Sequence, residues 1–299
     1  MGVFKSAVKI ASINFYRWKR DLRIWFILLF TVLLIDYYLR GIVRYGLESG
    51  RTVTICMLPS LFISTIISVN APKMIFHIGM LLILCDAPFF HPVTPYAVLR
   101  SRRTSWWMGE CLYIIAAAFF YMLLITLVSS LYVLPVAAFE NDWGSLLNAL
   151  VFGTEEQTAI EVNLSIDYAM AYQPEAVRYL YPFASQLYTF MTGWASFTFL
   201  GLLAYVVSLV KKNAALGIGV ASVFVFLDPV LTWMTKGRYG WLQAFSPVCW
   251  NTVENLNITG RYRFISVPFV AVMYPLLIVI LLAVSWRMSR KAVIELRQE

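Results

Sequence analysis

The stretch CDAPFFHPVTPYAVLRSRRTSWW, residues 85–107, interrupts two long apolar runs with three prolines, a cluster of arginines and a pair of tryptophans. Prolines end helices, so the chain is expected to leave an apolar layer here, turn and return. Basic residues in a short loop mark the cytoplasmic side of a membrane, and tryptophans favour its interface. We therefore expect residues 86–104 to form a cytoplasmic loop, from which the sidedness of the other loops follows.

The composition of the whole chain supports a membrane setting. Of its 299 residues, 60% are hydrophobic and only 13% charged, and the mean hydropathy is +0.72. These values exclude an ordinary soluble domain. The net charge of +8 does not indicate nucleic-acid binding, because the basic residues lie at the ends of apolar runs. The expected fold is an all-α, multi-pass membrane domain with six spans over residues 24–299 and both termini in the cytoplasm.

The N-terminal segment, residues 1–23, is expected to be a basic amphipathic helix in the membrane interface. Its apolar residues recur at steps of three and four, with cations between them, which is typical of such helices. The apolar positions are Phe4, Val8, Ala11, Phe15 and Trp18. The first span, residues 24–42, contains Asp36 and Arg40, which are expected to form a structural ion pair because they lie four residues apart on one helix face.

The next run, residues 53–84, is too long for one straight crossing of a hydrocarbon layer of about 30 Å. We expect one long helix kinked near Pro72, with a re-entrant or interfacial outer part. Further spans are expected over residues 105–134, 185–210, 214–234 and 264–286.

The loops between these spans divide by charge. Residues 135–183 hold seven of the sixteen acidic residues and one cation, so they are expected to be extracytoplasmic. Residues 235–263 form a second external element, and 211–213 a tight cytoplasmic turn. In this topology 15 of the 24 Lys and Arg residues lie on the cytoplasmic side, eight on the outer side and one, Lys73, within a span.

No pattern for enzymatic chemistry or for metal binding is present in the sequence. It contains no GxxxxGK[ST] phosphate-binding loop, no HExxH zinc motif and no nucleophile elbow. The four cysteines show neither CxxC spacing nor a disulfide framework. We therefore expect no catalytic residue, no bound metal and no cofactor on this chain.

Charged residues inside the apolar runs are the remaining candidates for function, because an isolated charge in hydrocarbon costs several kcal/mol. Lys73, His77 and Asp228 are predicted to line a substrate path or a subunit seam. Asp86 and Glu110, near the cytoplasmic border, are expected to contact the arginines at 100–103 or helix ends.

The order of these elements resembles the membrane subunits of ATP-binding-cassette transporters of the type-2 permease class, in particular small permeases of Gram-positive bacteria. The shared features are a basic amphipathic helix, a broken second span, a short basic loop after it, and small external elements before the last span. The motifs CDAPFF, RSRR and WW contribute to the likeness.

This resemblance implies a subunit of an exporter in the bacterial cytoplasmic membrane, with ATP and Mg²⁺ bound by separate ATPase subunits. It implies a homodimer, or a heterodimer with a related permease, in contact with membrane lipid and not with nucleic acid. Residues 1–23 would be the elbow helix, and a hydrophobic or amphipathic peptide or drug the substrate. The implied ATPase-coupling residues are Thr94, Pro95, Tyr96, Arg100, Ser101, Arg102 and Arg103, with a lesser contact at Lys211 and Lys212.

Two other classes of function remain open from the sequence. A secondary transporter or channel acting alone would use the intramembrane charges and an ion gradient. A membrane sensor or scaffold would bind a peptide through the acidic outer loop at 135–183.

Overall fold

The computed structural model describes residues 2–62, 72–86, 102–153, 174–234, 240–257 and 265–291. Five of its helices are long and apolar enough to cross a membrane, so the protein is a helical, multi-pass membrane protein. They are α2 (Leu22–Ser49), α5 (Arg103–Tyr132), α8 (Pro182–Lys211), α9 (Ala214–Met234) and α10 (Val267–Lys291). A shorter apolar helix, α4 (Pro72–Ile83), accompanies them.

The expectation of a single kinked helix over residues 53–84 is wrong. Val53–Thr54 form a short strand, β1, and Leu58–Leu61 form a single helical turn, α3. Helix α4, as described from Pro72 to Ile83, is about 18 Å long. The strand and the turn before it exclude a helix over the start of this run, where Pro59 suits the first turn of a short helix because it cannot donate a backbone hydrogen bond.

The helices alternate in direction. Gly79 of α4 packs against Ile27 of α2, while Arg23 of α2 contacts Asp86 just after α4, so these two helices are antiparallel. Ring and packing contacts likewise set α5 antiparallel to α8, and α8 antiparallel to α9. One end of the bundle therefore carries Arg23, Arg103, Lys211 and Arg290, and we call it the basic end.

Helix α8 occupies the centre of the bundle. Of the residues in its most apolar stretch 67% are buried, against 11% in α10. Close helix approach depends on small residues, as is usual in membrane bundles. An added Cβ at Gly201 of α8 would lie 2.6 Å from Leu84 and 2.7 Å from Ile114.

The N-terminal helix α1 (Val3–Trp18) is present as expected, and the sequence did not indicate that it also packs on α5. Phe4 and Val8 are exposed, Ala11 is buried together with Ala7, Ile10 and Asn14, and Phe15 and Trp18 pack against the core. Gly109 of α5 allows this approach, since an added Cβ there would lie 2.7 Å from Ile10 Cβ. The position of α1 in the membrane interface stays a prediction, because apolar periodicity marks lipid-facing and protein-facing residues alike.

Short segments close the end of the bundle opposite the basic end. Strand β1 pairs in parallel with β2 (Ala137–Ala138); helix α6 (Gly144–Phe152) packs on β1, and α7 (Pro174–Tyr179) packs on α6. Between α9 and α10, the described residues include 3-10 turns at Gly240–Phe245, Pro247–Asn251 and Val253–Asn255. We call residues 247–255 the plug, because its side chains from Pro247 to Val253 are all buried.

Candidate functional site

Lys73, His77 and Asp228, chosen from sequence as separate candidates, lie together in one buried polar cluster. Lys73 Nζ donates to Asp228 Oδ1 at 2.8 Å, and both side chains are at most 3% exposed. The structure thus pairs a cation at the start of α4 with an anion in α9, 155 residues later. Their role as a substrate path or subunit seam stays a prediction.

The Lys73 ammonium also holds the plug. Besides Asp228 it donates to Thr252 Oγ1 at 2.9 Å and to the Val248 carbonyl oxygen at 3.3 Å. Thr252 Oγ1 in turn donates to the Phe62 carbonyl oxygen at 2.9 Å. A cation near the first turn of a helix is disfavoured by the helix dipole, and its burial costs hydration free energy. The three acceptors, Asp228, Thr252 and the Val248 carbonyl, offset both costs.

His77 extends the cluster to α8 and α10. Its Nδ1 donates to the Lys73 carbonyl oxygen at 2.6 Å, and its Nε2 accepts from Ser196 Oγ at 3.0 Å and from Asn251 Nδ2 at 3.2 Å. A carbonyl accepts and an amide nitrogen donates, so this arrangement fits the neutral imidazole. Tyr274 OH lies 2.6 Å from both Asn251 Oδ1 and the Pro247 carbonyl oxygen.

We call this set of contacts the clasp. Its members are Lys73 and His77 of α4, Ser196 of α8, Asp228 of α9, Tyr274 of α10, and Asn251 and Thr252 of the plug. Sequence reasoning missed Ser196, Asn251, Thr252 and Tyr274, because single uncharged polar residues carry no periodic signal. All seven are buried, so the clasp is closed to solvent in this structure.

At the basic end, Arg23 links the start of α2 to the end of α4. Its guanidinium donates to Asp21 and to Asp86 at 2.8 Å and 2.7 Å, and it also contacts Cys85 Sγ. Hydrogen bonding to Arg23 lowers the pKa of Asp86, and burial raises the pKa of Cys85. Asp86 therefore stays ionised at neutral pH, and its partner among the described residues is Arg23, at the start of α2.

Among the described residues, Glu110 is bonded by a side chain of α1. Its Oε2 accepts from Asn14 Nδ2 at 2.9 Å inside the contact between α1 and α5. One turn further, Trp18 Nε1 donates to Tyr113 OH at 2.8 Å. These polar contacts fix the N-terminal helix to the bundle. The predicted pair of Arg40 and Asp36 is in contact, and Tyr132 OH donates to Asp36 at 2.6 Å.

Two of the predicted ATPase-coupling residues have unusual backbone conformations. Among the described residues, the non-glycine positions with left-handed φ are Arg102, at 73°, and Lys212, at 53°. Both are exposed, both are basic, and both lie at the basic end, directly before α5 and directly after α8. Such conformations cost roughly 1–2 kcal/mol per residue for a side chain other than glycine.

Of the remaining predicted coupling residues, the structure describes Arg103 and Lys211. Arg103 Nη1 donates to the Arg290 carbonyl oxygen at 2.6 Å, so it caps the end of α10. Lys211 is exposed in the last turn of α8. Thr94, Pro95, Tyr96, Arg100 and Ser101 lie outside the described residues, as do residues 154–173 of the acidic loop.

No family model, curated protein or solved structure matches the chain. Within the described ranges, no group of three His, Cys, Asp or Glu side chains is placed to hold a metal ion. The inference of function therefore depends on the arrangement of the helices, the basic end and the clasp.

Proposed function

We propose that this protein is the permease subunit of an ATP-binding-cassette exporter in a bacterial cytoplasmic membrane. The basic end faces the cytoplasm and docks on separate ATPase subunits, which bind ATP and Mg²⁺. Residues 86–104 and the turn at Lys211 and Lys212 form the docking surface. The chain pairs with a second copy or a related permease, and α4 is the inner half of its second span. An amphipathic or hydrophobic peptide or drug is the proposed substrate.

The observation that carries this proposal is the strained, basic pair Arg102 and Lys212. Glycine is the usual residue at positions with left-handed φ, because it lacks the Cβ that makes them costly. Both side chains are exposed, so burial does not offset this cost. Strain that the fold does not need is typical of functional surfaces. Cationic side chains on both turns of one bundle end suit a partner that presents carboxylates there.

Charge reversal at this end tests the proposal. Arg102→Glu with Lys212→Glu is expected to reduce the amount of ATPase subunit that copurifies by more than about tenfold, because two attractive contacts become repulsive. Membrane insertion should not change, since both side chains are exposed. Quantitative mass spectrometry of the purified complex measures the ratio, and an unchanged ratio would contradict the proposed docking surface.

Arg102→Gly with Lys212→Gly provides a matched control for folding. Glycine relieves the backbone strain, so this variant should be at least as stable to heat as the wild type, and it should still bind less ATPase. A glycine variant that is stable and binds ATPase normally would show that the cationic side chains are not used.

A stand-alone secondary transporter is the second candidate, favoured by one observation, the intramembrane pair of Lys73 and Asp228. Ion-coupled transport commonly uses such charges. This candidate predicts substrate flux by the purified protein alone, driven by an ion gradient. Both side chains of the pair are at most 3% exposed, so the pair is closed to solvent in this structure, and this favours the ATPase-coupled alternative.

A further inference from the structure

We propose that the clasp is the lock of an outer gate, with the plug as the element that moves. In the state described here, Lys73, His77 and Tyr274 hold the plug against the middle of the bundle. Release of the plug opens a path from the level of Lys73 to the outer side. This inference rests on the proposed transport function but not on the identity of the energy source.

The first supporting observation is that polar side chains of three helices, α4, α8 and α10, bond the plug. From α4, Lys73 binds Thr252 and the Val248 carbonyl, and His77 accepts from Asn251. Tyr274 of α10 binds Asn251 and the Pro247 carbonyl, and Tyr188 of α8 donates to the Trp250 carbonyl oxygen at 2.8 Å. A buried ion pair is rarely more stabilising than apolar residues of the same volume, because both charges lose their hydration. When water enters, both charges are hydrated again, so a polar lock opens at lower cost than an equally large apolar contact.

The second, independent observation is the position of the prolines. Asp228 directly precedes Pro229 inside α9, and Tyr274 directly precedes Pro275 inside α10. Lys73 follows Pro72, where α4 begins. A proline inside a helix removes a backbone hydrogen bond and creates a point of bending.

Both helices that lead into and out of the plug segment are therefore interrupted by a proline next to a clasp residue, Asp228 in α9 and Tyr274 in α10. Helix α8 also bonds the plug, through Tyr188 OH to the Trp250 carbonyl oxygen at 2.8 Å, and has no proline beside that tyrosine. The parts of α9 and α10 beyond these prolines lead directly into and out of the segment that contains the plug. Bending at Pro229 and Pro275 would move the plug as a unit while the inner parts of the helices remain packed on α8. This is the arrangement expected of a hinged gate.

Cys249 provides a direct probe of the gate, because it lies in the plug and is 0% exposed. In a background of Cys56→Ser, Cys85→Ser and Cys111→Ala, it is the one thiol left in the sequence. A membrane-impermeant maleimide added to intact cells then labels Cys249 only from the outer side and only when the plug opens. The initial rate of labelling reports the open fraction.

Thr252→Val removes the hydroxyl that the Lys73 ammonium binds and keeps the ion pair with Asp228. We expect the labelling rate to rise about tenfold, the factor expected for the loss of one hydrogen bond to a charged group. Thr31→Val is the matched control, since Thr31 is equally buried at 2% exposure and bonds Tyr121 on the opposite side of α4. Its labelling rate should equal that of the background protein.

Three outcomes would overturn the proposal. The first is a labelling rate in Thr252→Val equal to that of the background protein, and the second is an equal rise in the labelling rate of both threonine variants. The third is labelling of Cys249 from inverted vesicles and not from intact cells. Labelling requires no ATPase. A failed docking experiment with a positive labelling experiment would thus remove the ATPase partner and keep the gate.

Discussion

Lys73→Met is expected to yield little folded protein, because it leaves the Asp228 carboxylate buried without its cation. Loss of one partner of a buried ion pair costs about 3–5 kcal/mol, a large share of the stability of most proteins. The Lys73 ammonium also binds two groups of the plug, at 2.9 Å and 3.3 Å, and these contacts are lost as well. Monodisperse protein after mild detergent extraction, measured by size-exclusion chromatography, reports the effect.

The double variant Lys73→Met with Asp228→Asn distinguishes the effect of an unpaired buried charge from the effect of the altered side-chain shapes. Because it removes both charges, it should recover most of the folded protein that Lys73→Met loses. Asp228→Asn alone should resemble Lys73→Met, since it leaves the ammonium near the start of α4 without a carboxylate. A double variant that loses the sum of the two single losses, and so yields less folded protein than either single variant, would show that the pair contributes no coupling energy, contrary to the structure.

Gly217→Ala is expected to have the second largest effect, by forcing α8 and α9 apart. An added Cβ at Gly217 would overlap Ser208 Oγ and the Ala204 carbonyl oxygen of α8, and the latter belongs to the backbone and cannot rotate away. Overpacking of this kind costs about 1–3 kcal/mol. The midpoint of thermal unfolding in detergent should fall accordingly.

Gly219→Ala is the control for that experiment. It lies two residues further along α9, and an added Cβ there meets nothing within 4 Å. Alanine is a better helix former than glycine by about 0.5–1 kcal/mol, so this variant should be as stable as the wild type or slightly more stable. A similar loss in both variants would contradict the described contact between α8 and α9.

The sequence was sufficient to predict the class of fold, because apolar segments of about 20 residues are typical of membrane-spanning helices. It was not sufficient for the second run. Residues 53–84 are mostly apolar, and hydropathy cannot distinguish one membrane-spanning helix from a strand and a helical turn that precede a further helix. Pro59 and Pro72 were the available signals, and each lies at the start of a short helix.

The clasp was predictable only in part. Lys73, His77 and Asp228 were recognisable because charged and titratable groups in apolar runs are rare. Their partners were not, because contacts between α4 and residues 247–252 depend on how the helices pack. The buried face of α1 was missed for a related reason: Ala7 and Asn14 contact α5 through small size and hydrogen bonding, neither of which hydropathy records.

The central claim is that this chain works with a separate ATPase. The most direct test is mild extraction of the tagged protein from its native membrane, followed by quantitative mass spectrometry of the proteins that copurify in stoichiometric amounts. The account predicts a P-loop ATPase subunit at one copy per copy of permease, reduced in Arg102→Glu with Lys212→Glu. A chain that is recovered without any ATPase, even after crosslinking at the basic end, would contradict it.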